Sequence, residues 1–186
     1  MVELKNVSFS YGDKQVLNSF SLSVNNGERI CLFGKSGIGK STLVRLITGL
    51  EKQDSGEIKN TFKTSVLFQE DRLLPFKTVY GNIRMFSKKS DAEIDGVLKA
   101  LDIIDVRDKY PAQLSGGMSR RVSLARTLLI DADLFIFDEP FASLDVENTD
   151  LAIKLIDTCT KNKAVILITH DKNDADKLGC KIIDLE

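Results

Sequence analysis

The sequence contains few of the residues that build disulfide frameworks or metal clusters. Its three cysteines, Cys31, Cys159 and Cys180, are widely spaced and form no C-x-x-C pair, which disfavours disulfide and metal roles. His170 is the only histidine, so histidine side chains cannot form a metal cluster in this chain. We therefore interpret the cysteines as neutral thiols of a protein in a reducing cytosol.

Long apolar runs and an excess of one charge are also missing. No apolar run approaches the roughly 18 residues that cross a bilayer, and residues 1–5 lack the apolar core of a signal peptide. The 26 basic and 27 acidic residues give a net charge of −1, so the chain has no general attraction to nucleic acid or anionic lipid. With 186 residues and 42% hydrophobic content, we predict a soluble cytoplasmic protein folded as one domain.

A glycine-rich loop follows an apolar segment, residues 29–33, that predicts a buried strand. Residues 34–42 fit the pattern G-x-x-x-x-G-K-[ST], in which backbone N–H groups and the next helix's N-terminus surround a phosphate. Lys40 is expected to reach the β- and γ-phosphates, and the Ser41 hydroxyl fits Mg²⁺. The loop residues predicted to bind nucleotide are Ser36, Gly37, Ile38, Gly39, Lys40, Ser41 and Thr42.

The first segments of the chain predict an antiparallel edge sheet. Residues 2–11 and 16–24 read as strands, the second with Val16, Phe20, Leu22 and Val24 on one face, and residues 54–57 predict a turn. Tyr11 ends the first strand beside Gly12, where its ring is placed to stack on adenine. The alternative role for Tyr11 is an aromatic side chain that covers the sheet edge.

The middle of the chain changes to helical periodicity. Residues 64–68 predict a short strand that delivers Gln69 to its end, where the amide can contact Mg²⁺ or the attacking water. Helical periodicity is clearest in residues 91–102, with Ser90 as N-cap. We predict a helical subdomain at 69-118, inserted between the two parts of a catalytic core with a β subdomain, 1-68 and 119-186.

A second anion-binding feature is predicted where Ser115, Gly116 and Gly117 precede a helix over residues 119–129. A serine-capped loop is the plain alternative. Because one chain has little use for two phosphate sites, we interpret the two features as belonging to different subunits that enclose one nucleotide.

Two acidic residues follow a continuous apolar run, residues 134–137, that predicts a central parallel strand. The carboxyl end of such a strand is where open α/β sheets bind ligands. Asp138 suits association with Mg²⁺, and Glu139 suits orienting or deprotonating water. Residues 164–168 predict a further strand, and His170 just beyond it is expected to contact the γ-phosphate.

Together these motifs resemble the ATP-binding subunit of ABC transporters over nearly the whole chain and in the same order. The resemblance implies an α/β P-loop NTPase fold with a mostly parallel central sheet, an N-terminal antiparallel β subdomain and an inserted helical subdomain. It implies ATP and Mg²⁺ as cofactors and head-to-tail pairs of ATPase subunits. The other implied partners are a transmembrane permease subunit and, through it, a substrate-binding protein. The chain is then expected to be peripheral on the inner face of the cell membrane and to bind no nucleic acid.

The resemblance also assigns roles to individual positions. Catalysis is assigned to Glu139, His170 and Gln69, and magnesium binding to Ser41, Gln69 and Asp138. Nucleotide binding is assigned to Tyr11, Val16, the loop residues 36–42, the signature residues Ser115, Gly116 and Gly117, and Asp145 of the D-loop, residues 143–145.

The signature ends in Met118, where glutamine is commonest in the family. Met118, residues 69–76 and residues 138–141 together are similar to importers of nitrate, sulfonate or taurine, which implies ATP hydrolysis that powers import of a small anion or organic solute. The chain stops soon after His170, so we expect no regulatory C-terminal domain of the kind that some importer ATPases carry.

Other proteins share this head fold. DNA-repair and chromosome-maintenance ATPases carry a long coiled coil between the positions of Gln69 and Ser115, for which this sequence has no room. A translation-associated relative would carry two cassettes, and a non-catalytic module would be expected to have lost Glu139 or His170. An exporter of peptides or lipids remains the alternative, and the sequence does not identify the solute.

Overall fold

The computed structural model describes residues 1–35 and 37–185, which form eight strands in two sheets and six α-helices. The strands are β1 (Val2–Tyr11), β2 (Lys14–Val24), β3 (Arg29–Phe33), β4 (Ser55–Asn60), β5 (Thr64–Leu67), β6 (Leu134–Asp138), β7 (Ala164–Ile168) and β8 (Lys181–Asp184). The helices are α1 (Lys40–Ile47), α2 (Val79–Arg84), α3 (Asp91–Ala100), α4 (Gly116–Leu128), α5 (Val146–Cys159) and α6 (Lys172–Lys177), with 3-10 turns at Ile104–Val106 and Pro111–Gln113.

The larger sheet is parallel throughout, with strand order β5-β6-β7-β3-β8. Strands β3 and β7 have the bounds that the sequence predicted, and β6 lies between β5 and β7 with all five residues buried. Successive β6 side chains enter different cores: Leu134 and Ile136 join one apolar cluster, and Phe135 and Phe137 the other. The continuous apolar runs therefore reflect burial of both sheet faces.

The smaller sheet is antiparallel, with order β2-β1-β4, and it corrects two predictions. Strand β2 starts at Lys14 rather than at residue 16, and its pairing with β1 shifts register around Ser19, whose φ is +47°. Leu17 is consequently buried although the predicted apolar face omitted it, while Val16 and Phe20 of that face are half-buried against the same apolar cluster. An irregular pairing of this kind breaks the simple alternation of side chains.

The second correction concerns residues 54–57, where a turn was predicted and β4 begins instead at Ser55. Gly56 has a φ of +85°, and a Cβ added there would lie 2.4 Å from the carbonyl oxygen of Asn6. Only glycine allows β4 to approach β1 this closely. The strand contains one apolar residue, Ile58, and therefore carries almost no apolar periodicity.

The helical elements between β5 and β6 largely follow the predicted periodicity. Helix α3 starts at Asp91, and Ser90 caps it in a capping box with Glu93. Helix α4 begins at Gly116, three residues before the predicted start, because Ser115 Oγ accepts a hydrogen bond from the Met118 N–H at 3.2 Å. The α/β fold class is confirmed, whereas the division at 69-118 remains a prediction.

Two apolar clusters cover opposite faces of the parallel sheet. Helix α1 packs between one face and the antiparallel sheet, and α4 and α5 pack on the other face. Because the strands are parallel, the residues that follow β3, β5, β6 and β7 meet at one edge. Among the described residues, no helix is both long and apolar enough to cross a bilayer.

Candidate nucleotide-binding and hydrolysis site

The glycine-rich loop connects β3 to α1 and holds Lys40 against its own backbone. Gly39 precedes the helix with a φ of +111°, and a Cβ there would lie 2.9 Å from Val16 Cγ1, so the position requires glycine. Lys40 is 8% exposed, and its Nζ donates to the carbonyl of Gly34 and, at 2.8 Å, to that of Lys35. The predicted contact of Ser36 with nucleotide lies outside the described residues.

A cavity of about 370 Å³, here called the P-loop cavity, opens beside this loop. It is lined by Tyr11, Lys14, Val16, Gly37, Gly39, Lys40, Ser41, Thr42, Gln69, Asp138, Glu139 and Ile168. All but Lys14 and Ile168 were predicted site residues, drawn from β1, β2, the loop and the ends of β5 and β6. Ile38, also predicted, instead lines a separate cavity with Phe20 and Leu185.

Ser41, Asp138 and Gln69 bring side-chain oxygen atoms to the P-loop cavity. The Ser41 hydroxyl donates to Asp138 Oδ2 at 2.8 Å, and the exposed Gln69 lines the same cavity. Asp138 is 3% exposed, and burial raises the pKa of its carboxyl, while the hydrogen bond from Ser41 acts in the opposite direction. A hydroxyl, a carboxylate and an amide oxygen are ligands that suit Mg²⁺, so these residues fit the ion.

Glu139 lies between two cavities in a conformation that residues other than glycine rarely adopt, with a φ of +50°. Its N–H donates to the Ile168 carbonyl at 2.9 Å, which fixes it to the end of β7. Its Oε2 lies 3.0 Å from Nδ1 of His170, whose side chain is 83% exposed. His170 lines the second cavity, of about 690 Å³, and its contact with the γ-phosphate remains a prediction.

The signature residues lie apart from the P-loop cavity. Ser115 and Gly116 are exposed at the start of α4, and none of residues 115–117 is among the described residues that line this cavity. A Cβ on Gly117 would lie 3.0 Å from the Ser143 carbonyl oxygen, so the signature packs on the D-loop of its own chain. Asp145 caps α5 by accepting from the Asn148 N–H at 2.8 Å, and it lines the second cavity.

Besides Ile168, two residues of the site were not foreseen. Lys14 lines the P-loop cavity together with Tyr11. The only indication in the sequence was that a basic residue lies close to the predicted adenine contact. Arg120 is buried in α4, and its guanidinium donates to the carbonyls of Asp138 and Glu139, each at 2.6 Å. Neither its residue type nor the helical pattern of α4 indicated those partners.

A glycine-rich phosphate loop with a buried acidic strand end at the carboxyl edge of a parallel sheet defines a P-loop NTPase. Residues 17–142 match the family model described as ABC transporter. The chain belongs to the ABC transporter family of ATP-binding domains.

Curated relatives are similar along the chain. The chain is 38% identical, over its full length and 71% of the relative's, to the aliphatic sulfonates import ATP-binding protein SsuB 3 of Rhodococcus jostii. It is 38% identical, over 95% of its length and 76% of the relative's, to SsuB of Corynebacterium glutamicum. The suspected similarity to sulfonate-type importers is thereby confirmed.

Solved structures support the same family. The dimeric ABC transporter cassette MJ0796 superposes with a TM-score of 0.86 at 27% identity, covering 99% of this chain and 94% of that one. A post-hydrolysis dimer of the same cassette holds ADP and Pi. A bacterial Atm1-family exporter with ATP bound matches with a TM-score of 0.87 at 26% identity. The match covers 100% of this chain and 36% of the exporter chain. The predictions of ATP binding and of a transport ATPase are confirmed.

Proposed function

We propose that this chain is the ATPase subunit of an importer for an aliphatic sulfonate or a related small organic anion, and that it works on the inner face of the cell membrane. The observation that carries the proposal is the 38% identity with a sulfonate import ATP-binding protein over the full chain. The match with the exporter extends over only 36% of the exporter chain, so this similarity supports the fold and gives no direction of transport.

Within the P-loop cavity, each residue has a separate task. Tyr11 stacks on adenine, and Lys40 binds the β- and γ-phosphates as a point charge. Ser41 and Gln69 hold Mg²⁺, and Asp138 orients the Ser41 hydroxyl through the 2.8 Å hydrogen bond. When bound, Mg²⁺ offsets the charge that develops on the phosphates during phosphoryl transfer.

Hydrolysis is assigned to the pair formed by Glu139 and His170. The Glu139 carboxylate reaches the P-loop cavity, where it orients the attacking water and accepts its proton. His170 Nδ1 lies 3.0 Å from Glu139 Oε2, and in the tautomer that carries the proton on Nδ1 it donates a hydrogen bond that holds the carboxylate in one direction. Because phosphoryl transfer depends strongly on how the reacting groups are placed, both residues act chiefly by placing the carboxylate and the water.

Two chains are proposed to enclose each ATP. The P-loop cavity of one subunit lacks the signature residues of its own chain, and Ser115 and Gly116 are exposed at the N-terminus of α4, a suitable partner for phosphate. The dimeric structure of the similar MJ0796 cassette supports this arrangement.

Residues 72–80 are the proposed contact with the permease. Phe76 is 69% exposed in this segment, and Arg72 lies over the Phe68 ring at 4.0 Å, next to Gln69. A protein bound to the segment would thus contact residues adjoining the P-loop cavity. A substrate-binding protein is proposed to deliver the solute to the permease.

Reconstitution with the permease and the substrate-binding protein in liposomes tests the proposal. We expect ethanesulfonate to stimulate ATP hydrolysis and to accumulate on the side of the membrane where ATP is supplied, which is the side that carries the ATPase subunit. Nitrate should stimulate less, and a complex with Glu139→Gln should transport nothing. Movement of solute away from the ATP side, or stimulation by peptide or lipid alone, would contradict the importer.

A further inference from the structure

Arg120, on α4, makes contacts that join two segments of the candidate site, residues 68–71 and 138–140. Its side chain is 3% exposed, and five of its six hydrogen-bond partners are backbone carbonyl oxygens. Nη1 donates to the carbonyls of Phe68 at 2.7 Å and Gln69 at 3.2 Å, and to Asp71 Oδ1 at 3.2 Å. Nη2 donates to the carbonyls of Asp138 and Glu139, at 2.6 Å each. Nε donates to the carbonyl of Pro140 at 3.3 Å.

We propose that Arg120 is a positioning residue for ATP hydrolysis, which sets Gln69 and Glu139 relative to each other by binding their backbone carbonyls. This inference rests on the roles proposed above for Glu139 and Gln69. Arg120 acts through these two residues and is not itself among the described residues that line the P-loop cavity.

The backbone of Glu139 explains why such a support is needed. With a φ of +50°, this residue occupies a left-handed conformation that a non-glycine residue leaves readily unless its surroundings hold it. Arg120 Nη2 binds the carbonyls on both sides of the Glu139 α-carbon, so rotation of either peptide would break a charge-assisted hydrogen bond. The direction of the carboxylate thus depends on the guanidinium.

Nη1 of Arg120 and two further side chains of α4 hold the segment that carries Gln69. Ser123 Oγ donates to the Asp71 carbonyl at 2.8 Å, and Arg126 Nη2 donates to the same oxygen at 2.9 Å. With Arg120, these side chains form a polar row along α4, three residues apart. A displacement of α4 would consequently move Gln69 and Glu139 together.

The planar guanidinium suits this position better than an ammonium does. Its donors point in several fixed directions toward separate carbonyls, whereas lysine offers one point charge. Burial lowers the pKa of Arg120, and the contact with Asp71 acts in the opposite direction. Replacement by lysine should therefore keep the charge but lose most of the fixed geometry.

The adjacent Arg121 provides a matched control in the same helix. It is 7% exposed and donates to the Leu101 carbonyl at 2.8 Å, the Asp102 carbonyl at 3.1 Å and Asn148 Oδ1 at 2.6 Å. None of these partners belongs to residues 68–71 or 138–140. Arg121→Met thus removes a buried guanidinium of equal size without touching the Glu139 and Gln69 segments.

The experiment compares Arg120→Met, Arg120→Lys and Arg121→Met in the full chain. For Arg120→Met we expect kcat to fall about 10–100-fold, as for displaced catalytic groups, with KM and the ATP Kd within about threefold because substrate contacts persist. Arg120→Lys should recover part of kcat. Arg121→Met should lower Tm comparably and keep kcat within about twofold, since its hydrogen-bond partners lie outside residues 68–71 and 138–140.

Amide hydrogen exchange supplies a readout independent of activity. Exchange of residues 68–72 and 138–142 should accelerate in both Arg120 variants and not in Arg121→Met, because of these two arginines only Arg120 binds carbonyls of those segments. Unchanged exchange in these segments, an unchanged kcat in Arg120→Met, or kcat losses in step with Tm for both arginines would overturn the proposal.

The remaining outcomes also decide the question. If Arg120→Met does not fold, Arg120→Lys carries the test, and a wild-type kcat with wild-type exchange in that variant overturns the inference. A wild-type chain that binds but never hydrolyses ATP would contradict the proposed function instead. In that case the exchange of residues 68–72 and 138–142 alone supports or overturns the role of Arg120.

Discussion

The Ser41 hydroxyl donates a 2.8 Å hydrogen bond to Asp138 Oδ2 and so links the start of α1 to the end of β6, across 97 positions of sequence. This contact brings the phosphate loop and the acidic strand end into one cavity. Because Asp138 is buried, its charged carboxylate is expected to lower the stability of the nucleotide-free chain and to favour magnesium binding.

Asp138→Asn is expected to stabilise the nucleotide-free chain at neutral pH while weakening Mg²⁺-dependent ATP binding. Burial raises the pKa of Asp138 above its ordinary 3.8, so above pH 3.8 the folded state binds more protons than the unfolded state and stability falls as pH rises. Asparagine removes this cost and still accepts from Ser41. Thermal melts from pH 4 to 8, with and without Mg-ATP, measure both effects.

The exposed Asp131→Asn serves as the control, with no expected change in either measurement. The difference between Asp138→Asn and wild type without nucleotide should shrink as pH falls toward 4, since the folded state then increasingly protonates the carboxyl and no longer buries its charge. A lower Tm for Asp138→Asn at pH 7 without nucleotide would show that the buried charge is compensated and would contradict the prediction.

Lys40→Ala should abolish tight ATP binding. Lys40 is the lysine whose Nζ lies inside the phosphate loop, bonded to the carbonyls of Gly34 and Lys35, and an alanine there leaves the β- and γ-phosphates without their point charge. Calorimetry with ATP and Mg²⁺ measures the loss, and Lys99→Ala on the outer side of α3 should bind as wild type does. Equal affinity of Lys40→Ala and wild type would remove the assignment of the loop.

Tyr11→Ala should weaken ATP binding by about 5–150-fold, the equivalent of the 1–3 kcal/mol that base–aromatic stacking contributes. Tyr11 is 45% exposed at the P-loop cavity, and its ring meets Phe9 edge to face at 4.8 Å. Tyr110→Ala is the matched control, since Tyr110 is similarly exposed but lies outside that cavity. Tyr11→Phe should bind nearly as wild type, and equal losses in Tyr11→Ala and Tyr110→Ala would refute stacking.

The parallel sheet could be predicted from sequence because its strands are buried on both faces and appear as continuous apolar runs. The bounds of β3 and β7 agree with the prediction for this reason. The antiparallel sheet was predicted less well, because β4 is mostly polar and β2 changes its pairing near Ser19, whose φ of +47° has no local signal.

The site shows the same division between local and tertiary information. The loop, Asp138 and Glu139 could be predicted because motif spacing and strand ends place them. The left-handed backbone of Glu139 and its support by Arg120 could not, since each carbonyl that Arg120 binds comes from a segment distant in sequence. Side-chain chemistry is visible in a motif, whereas carbonyl directions depend on the fold.

Glu139→Gln is expected to separate ATP binding from hydrolysis. The variant keeps the size of the side chain and removes the base, so hydrolysis should fall by about 10²–10⁴-fold while the contacts of Lys40 and Tyr11 with ATP persist. The uncleaved ATP would then hold the P-loop of one chain against Ser115 of another. Size-exclusion chromatography with light scattering should show a monomer without nucleotide, a dimer with ATP, and reversal with ADP.

Adding Ser115→Arg to Glu139→Gln provides the control for that dimer. Ser115 is exposed and caps α4 away from the P-loop cavity, so an arginine there should leave ATP binding by the monomer intact and block only the contact between chains. A Glu139→Gln chain that hydrolyses ATP at the wild-type rate would refute the catalytic role of Glu139. A dimer that persists in the double variant would instead refute the ATP sandwich, because the two subunits would then associate without the signature residues that the arrangement requires.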